Sequence, residues 1–271
     1  AITLASRFSD AGYRTQAVAG GGHLSAVFGL DVGFEEYQTG SHFAGFAQTI
    51  PMALEALNRP GEEPMFLFVH GYDCHTPYIK PGPAGRAMTP EYEGPLLELA
   101  HDPLTYERIY NDIYAPDFKP DQIFTDGGPS FLSTEIFAAL PKHIADPTTR
   151  KIKLSKEDID FLKGTYDSAV LYADMWLEIF FEALRRQDRW DNTVVAVISD
   201  HGEDLLDHGV INHRAGLWNS TTHVPMIITG PGIPHQSIDQ VVSTRDLGSS
   251  LLSAAGLQSS DFPGSDWIHD P

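Results

Sequence analysis

The chain has 271 residues, 42% of them hydrophobic, enough to fill a sizeable core in one large domain or two small ones. Its net charge of -19, from 37 acidic against 18 basic side chains, argues against nucleic acid as a partner, because no local basic patch offsets the repulsion of a polyanion. A single cysteine, Cys74, excludes an internal disulfide and a cysteine-rich zinc site, and no stretch of roughly 18 consecutive apolar residues is present to span a membrane.

In chain order, the opening "AITLASRFSDAGYRT" lacks the basic start and apolar middle of a signal peptide. Leu4, Phe8 and Ala11 recur at helical spacing before Gly12, so it reads as a helix already under way, and the natural chain is expected to begin earlier. A strand is predicted at "TQAVAG", 15–20, followed by a glycine-broken loop, "GGGHLSAVFGLDVGFEEY". Phe43, Phe46, Ala47, Ile50, Leu54 and Leu57 predict a second helix despite Pro51, and "PMFLFVHGYDCHTPY" a second strand whose end carries His and Asp. Residues 79–150, rich in Pro, Gly and polar side chains, read as a long excursion that would shape a substrate mouth. Ser155 with Asp158 forms a capping box, and the apolar stripe from Ile159 through Leu162, Tyr166, Ala169 and Trp176 to Leu184 predicts a long helix. Strands follow at "VVAVIS" and "VPMIIT", then a helix ending near Gly256. This alternation predicts an α/β fold: a mostly parallel central sheet covered by helices on both faces, with its active site beyond the carboxyl ends of the strands.

Two strand ends carry the candidate chemistry. In "VVAVISDHGEDLLDHG", Asp200 and His201 offer a carboxylate oxygen and an imidazole nitrogen at a strand end, a pair suited to a divalent metal and equally to capping the next turn. Glu203, Asp204, Asp207 and His208 read as solvated or supporting residues. His75 is placed to give a proton to a leaving oxygen, to complete a metal site, or simply to bond a loop carbonyl. His213, beside Arg214, would hold an oxyanion or form a surface ion pair. His70, Asp73 and His223 read as structural. Cys74, whose thiol the neighbouring Asp73 would push up rather than down, reads as a small packing residue.

Six segments in order carry a wider likeness: "AGYRTQAVAGGGHLSAVFGLDVGFE", "PMFLFVHGYDCHTPY", "YDSAVLYADMWL", "DNTVVAVISDHGEDLLDHG", "LWNSTTHVPMIITGPG" and "STRDLGSSLLSAAGL". Together the chain resembles the sulfatase family of the alkaline phosphatase superfamily. The resemblance implies an alkaline-phosphatase-like α/β fold and metal-dependent hydrolysis of sulfate esters. Asp200 and His201 match the second pair of metal ligands, His75 the histidine that contacts the ester and its leaving oxygen, and His213 the Lys or His that faces the sulfate or phosphate oxygens. The implied metal is calcium, with manganese or zinc in relatives that act on phosphate or phosphonate esters or transfer phosphoethanolamine. The implied partner is a small-molecule or glycan sulfate ester. The Cys-or-Ser-x-Pro-x-Arg motif that carries the nucleophile, with its Cys converted to formylglycine, does not occur in the chain. The expectation is therefore that residues 1–271 are the later part of a catalytic domain, incomplete at the N-terminus and inactive as they stand. A non-catalytic binding protein is the remaining alternative.

Overall fold

The computed structural model describes residues 2–41, 43–75, 78, 80, 84, 87–89, 91–94, 145–146, 151–152, 155–205, 207–208, 211–213 and 216–268. The elements run α1 (Leu4–Asp10), β1 (Arg14–Ala19), β2 (Glu36–Thr39), α2 (Phe46–Leu57), β3 (Met65–Val69), β4 (Ala145–Asp146), β5 (Lys151–Ile152), α3 (Lys156–Arg186), β6 (Val195–Ile198), β7 (Asp204–Leu205), β8 (Ile211–Asn212), α4 (Asn219–Thr222), β9 (Met226–Thr229) and α5 (Asp246–Ala254). They fall into two compact units, one of Ala1–Tyr72, Ala173–Asp200 and Val224–Pro271, the other of Asp73–Tyr172 and His201–His223.

In the first unit, α1 opens with a capping box, in which Ser6 N–H donates to Thr3 Oγ1 at 3.0 Å and Thr3 N–H donates to Ser6 Oγ at 2.9 Å. The helix stops before Gly12, whose φ of +84° only glycine adopts readily. β1 is the middle strand of a three-stranded parallel sheet in the order β2-β1-β3. Its small residues Ala17, Val18 and Ala19 are buried, as a strand paired on both edges and covered by α1 and α2 demands. α2 contributes Ile50, Ala53, Ala56 and Leu57 to the core, while Pro51 lies on its exposed side. Phe8 of α1 stacks on Phe66 of β3 with ring centroids 4.5 Å apart.

β2 lies where the sequence reads as loop. Its residues Glu-Tyr-Gln-Thr carry no apolar run, because an edge strand with one partner and half-buried side chains tolerates polar residues; Gln16 Nε2 donates to Glu36 Oε2 across the pair at 3.0 Å. β9 pairs antiparallel with β6, Ile198 facing Met226, in a two-stranded sheet. The chain leaves β6 at its carboxyl end and re-enters opposite that same end, so no crossover intervenes to make the strands parallel. Among the described residues the parallel sheet is β2-β1-β3, and β9 is an antiparallel addition that alternation alone does not anticipate.

In the second unit the predicted capping box is present: Asp158 N–H donates to Ser155 Oγ at 3.1 Å and Ser155 N–H donates to Asp158 Oδ2 at 2.9 Å. α3 then runs for 31 residues, belonging to this unit as far as Tyr172 and to the first unit from Ala173. Tyr78 and Ala169 form a buried core joined by Leu162, Tyr166 and Leu205, so the apolar stripe of α3 packs under the β7–β8 hairpin. The predicted excursion over 79–150 lies outside the described residues except for short pieces. One of them is Tyr92, stacked on Phe161 with centroids 3.9 Å apart.

Ile50 is 0% exposed whereas Val27 is 82% exposed. Ile50→Ala is expected to lower unfolding free energy by about 2–5 kcal/mol in urea titration, and Val27→Ala to change it by less than about 0.5 kcal/mol.

Candidate active site

The site is built on a hairpin. β7 and β8 pair antiparallel with Asp204 facing Asn212 and Leu205 facing Ile211. One residue further along the same register, Glu203 stands opposite His213. Successive side chains in a strand alternate between faces, so Glu203 and Asp204 are directed to opposite sides. Both carboxylates are buried, and each is spent on a histidine. His213 Nδ1 lies 3.2 Å from Glu203 Oε1. On the other face Asp204 accepts from His208 Nδ1 at 2.5 Å, from Ser220 Oγ at 2.9 Å and from the His208 backbone N–H at 3.3 Å. The His208 ring lies flat on Trp218, centroids 4.2 Å apart and 4° from parallel, which ties the hairpin to the start of α4.

Of the two readings given to both acids, solvated or supporting, Glu203 and Asp204 take the supporting one, Asp204 as the anchor of a buried hydrogen-bond network. What the sequence reading missed was the hairpin itself, although the turn signal Asp207-His208-Gly209 between "DL" and "VI" is written in the chain.

Three imidazoles meet beside Glu203. His201 and His213 stack with centroids 3.9 Å apart at 27°, and His75 approaches edge-on, 5.2 Å from His213 and 6.3 Å from His201. Residues from three separate segments thus share one place, as sequence spacing alone cannot arrange. Arg214 lies outside the described residues. The His201 Nδ1 sits 2.9 Å from the Gly202 carbonyl oxygen. A carbonyl only accepts, so Nδ1 carries the hydrogen and, in the neutral ring, Nε2 carries the lone pair, the form an imidazole needs to ligate a metal. Asp200, the preceding residue, is exposed at the end of the β6 segment, and its charge helps hold the Tyr72 phenol above the usual range, after burial and against a hydrogen bond from the His23 backbone. Among the described residues no group of three or more His, Cys, Asp or Glu side chains is arranged to enclose an ion. The donor types of Asp200 and His201 suit a divalent cation, as one part of a coordination shell.

The floor of the unit is dense with titratable groups. Burial, then the charge of Asp73, pushes the Cys74 thiol up to about 11 against the opposing effect of Lys80, so it stays a protonated packing residue at neutral pH. Burial likewise holds the Lys80 ammonium below its usual range, against the opposing charges of Asp73 and Cys74. Tyr166 is pushed up to about 12, first by burial and then by the charges of Cys74, Glu203 and Asp167. His70 donates its backbone N–H to the Val18 carbonyl at 2.9 Å and sets its ring edge-on to Tyr72, in keeping with a structural role. His223 is exposed, and it is its backbone N–H, donated to Asn219 O at 2.9 Å, that closes α4.

The class of protein follows from fold and sequence together. The model of the Sulfatase family matches residues 3–257, and the chain belongs to that family. Arylsulfatase K of Canis lupus familiaris is 31% identical over 105 residues, which are 38% of this chain and 19% of that protein. In fold, the chain is similar to BT4656, solved in complex with its substrate D-Glucosamine-2-N, 6-O-disulfate, with a TM-score of 0.61 and 17% identity over 99% of this chain and 64% of that one. It is also similar to the phosphonate monoester hydrolase of Agrobacterium radiobacter, with a TM-score of 0.64 and 18% identity over 98% of this chain and 61% of that one. The chain thus spans less than two thirds of these structural neighbours and matches a much smaller part of the curated relative. The α/β architecture is the alkaline-phosphatase-like one that these structures share.

A Cβ on Gly202 would lie 2.2 Å from the Ser220 carbonyl oxygen. Gly202→Ala is therefore expected to separate the hairpin from α4 and to lower unfolding free energy by about 1–3 kcal/mol, read by thermal melting. Asp204 provides a pH test. Burial raises its carboxyl, but hydrogen bonds from His208 and Ser220 outweigh burial and hold it below the usual carboxylate range. A carboxyl depressed by folding stabilises the fold above its unfolded value and loses that contribution as pH falls through its folded value. Asp204→Asn should cost about 1–3 kcal/mol at neutral pH, and the gap to the natural chain should narrow as pH drops below the ordinary carboxylate range; a constant gap would contradict this assignment.

Proposed function

We propose that the chain is the later part of a metal-dependent sulfatase domain that hydrolyses sulfate esters of small molecules or glycans. The observation that carries this reading is the convergence of His75, His201 and His213, from three separate segments, in a chain of the Sulfatase family. Asp200 and His201 would supply one carboxylate and one imidazole to a divalent cation, calcium by family resemblance. When bound, such an ion would neutralise charge on the sulfate oxygens. His75 would protonate the departing alcohol oxygen, and His213 would donate a hydrogen bond to the oxygens of the group in transfer. The nucleophile and the remaining acidic ligands would come from residues upstream of this chain, where the resemblance puts a cysteine converted to formylglycine.

A second reading, hydrolysis of phosphonate or phosphate monoesters on the same scaffold, draws support from the fold shared with the phosphonate monoester hydrolase. In the full-length protein, paired sulfate and phosphonate esters with the same leaving group discriminate the two. A larger kcat/KM for the sulfate is the expected result, and the reverse order transfers the assignment to the second reading.

The proton-donor role has its own measurement. His75→Ala in the full-length protein is expected to lose about 10²–10⁴-fold in kcat on an ester with a poor leaving group, and far less on one whose alcohol departs unassisted. Equal losses on both esters would remove His75 from that role.

A further inference from the structure

Glu203 has a role that the three histidines and Asp200 do not express. Its side chain is 3% exposed and faces His213, itself 18% exposed, at 3.2 Å. The second carboxylate oxygen, Oε2, is buried and has no hydrogen-bond partner among the described residues. A half-satisfied buried carboxylate is a costly way to fill space, since an apolar side chain of the same volume is commonly neutral or stabilising there. Three local constraints hold Glu203 in position nonetheless. The hairpin register sets it across from His213. On one side the Gly202 N–H donates to the Thr221 carbonyl at 2.8 Å, and on the other Asp204 is fixed by Ser220 and His208. The backbone is thus clamped at 202 and at 204, and the residue between them has its carboxylate against one nitrogen of His213.

We propose that Glu203 is the positioning residue of His213. Its carboxylate accepts the Nδ1 hydrogen, which fixes the rotation of the ring and leaves the Nε2–H to be donated to the anionic group. This inference rests on the proposed role of His213 and deepens it: Glu203 touches no reacting atom and acts through the ring it orients. The arrangement fits a tetrahedral oxyanion ester, whose oxygens each take a donor from a fixed direction.

The experiment compares E203M, which keeps the volume and removes the acceptor, with E203Q, whose carbonyl oxygen still accepts from Nδ1, in the full-length protein labelled with nitrogen-15 at histidine. The His213 signals, assigned by their absence in H213Q, should show a hydrogen held on Nδ1 in the natural protein and in E203Q and lose it in E203M. In sulfate ester hydrolysis, E203M should lose about 10- to 100-fold in kcat with a smaller change in KM, and E203Q should recover most of it. In an H213A background, E203M should add no further loss. An unchanged Nδ1–H signal of His213 in E203M, or an equal loss with and without His213, overturns the proposal. E203D, one methylene short of Nδ1, takes the place of E203M in every comparison where E203M does not fold. A natural full-length protein without ester hydrolysis would overturn the functional reading instead, and the Nδ1–H comparison would still decide the Glu203–His213 assignment.

Discussion

The antiparallel register that pairs Asp204 with Asn212 governs the site, because it distributes two adjacent carboxylates to opposite faces of one short hairpin. Glu203 goes to the face where the imidazoles gather, and Asp204 goes to the face that binds the hairpin to α4. Short strands specify register weakly by themselves. Here the specification comes from side chains, through the Asp204–Ser220 and Asp204–His208 bonds and the packing of Leu205 onto Tyr78 and α3.

Burying acids in this way has an electrostatic consequence for the whole unit. Asp73, Glu203 and Asp204 are all buried, as are large parts of Cys74, Lys80 and Tyr166. Burial dominates the behaviour of the last three, keeping the thiol and the phenol protonated.

The other unit carries the three-stranded parallel sheet and, at the end of the β6 segment, Asp200. Its central strand is made of small buried residues, and α1 and α2 close over it. Strand ends in open α/β sheets are where backbone groups lose their ladder partners and side chains emerge from the core. His70 and Asp200 stand at two such ends, and the segments carrying His75 and His201 continue directly from them. The chain belongs to the Sulfatase family, and its fold is similar to those of BT4656 and of the phosphonate monoester hydrolase.

The α/β class, the helices α1 and α2, the start of α3 and the strands β1, β3 and β6 were legible from the amino-acid order, which also marked Asp200, His201, His75 and His213 as candidates. These features depend on local signals: apolar periodicity, capping residues, glycine after a helix, and an abrupt change from apolar to ionisable side chains at a strand end. β2, the antiparallel direction of β9 and the β7–β8 hairpin were not, because each is defined by a partner strand distant in the chain or by side chains that only pairing brings into register. For the same reason composition could not tell Glu203 and Asp204 from solvated acids. A carboxylate has the same identity in water and in a core, and its role is fixed only when folding removes the water and leaves particular donors within reach, His213 for Glu203 and His208 with Ser220 for Asp204.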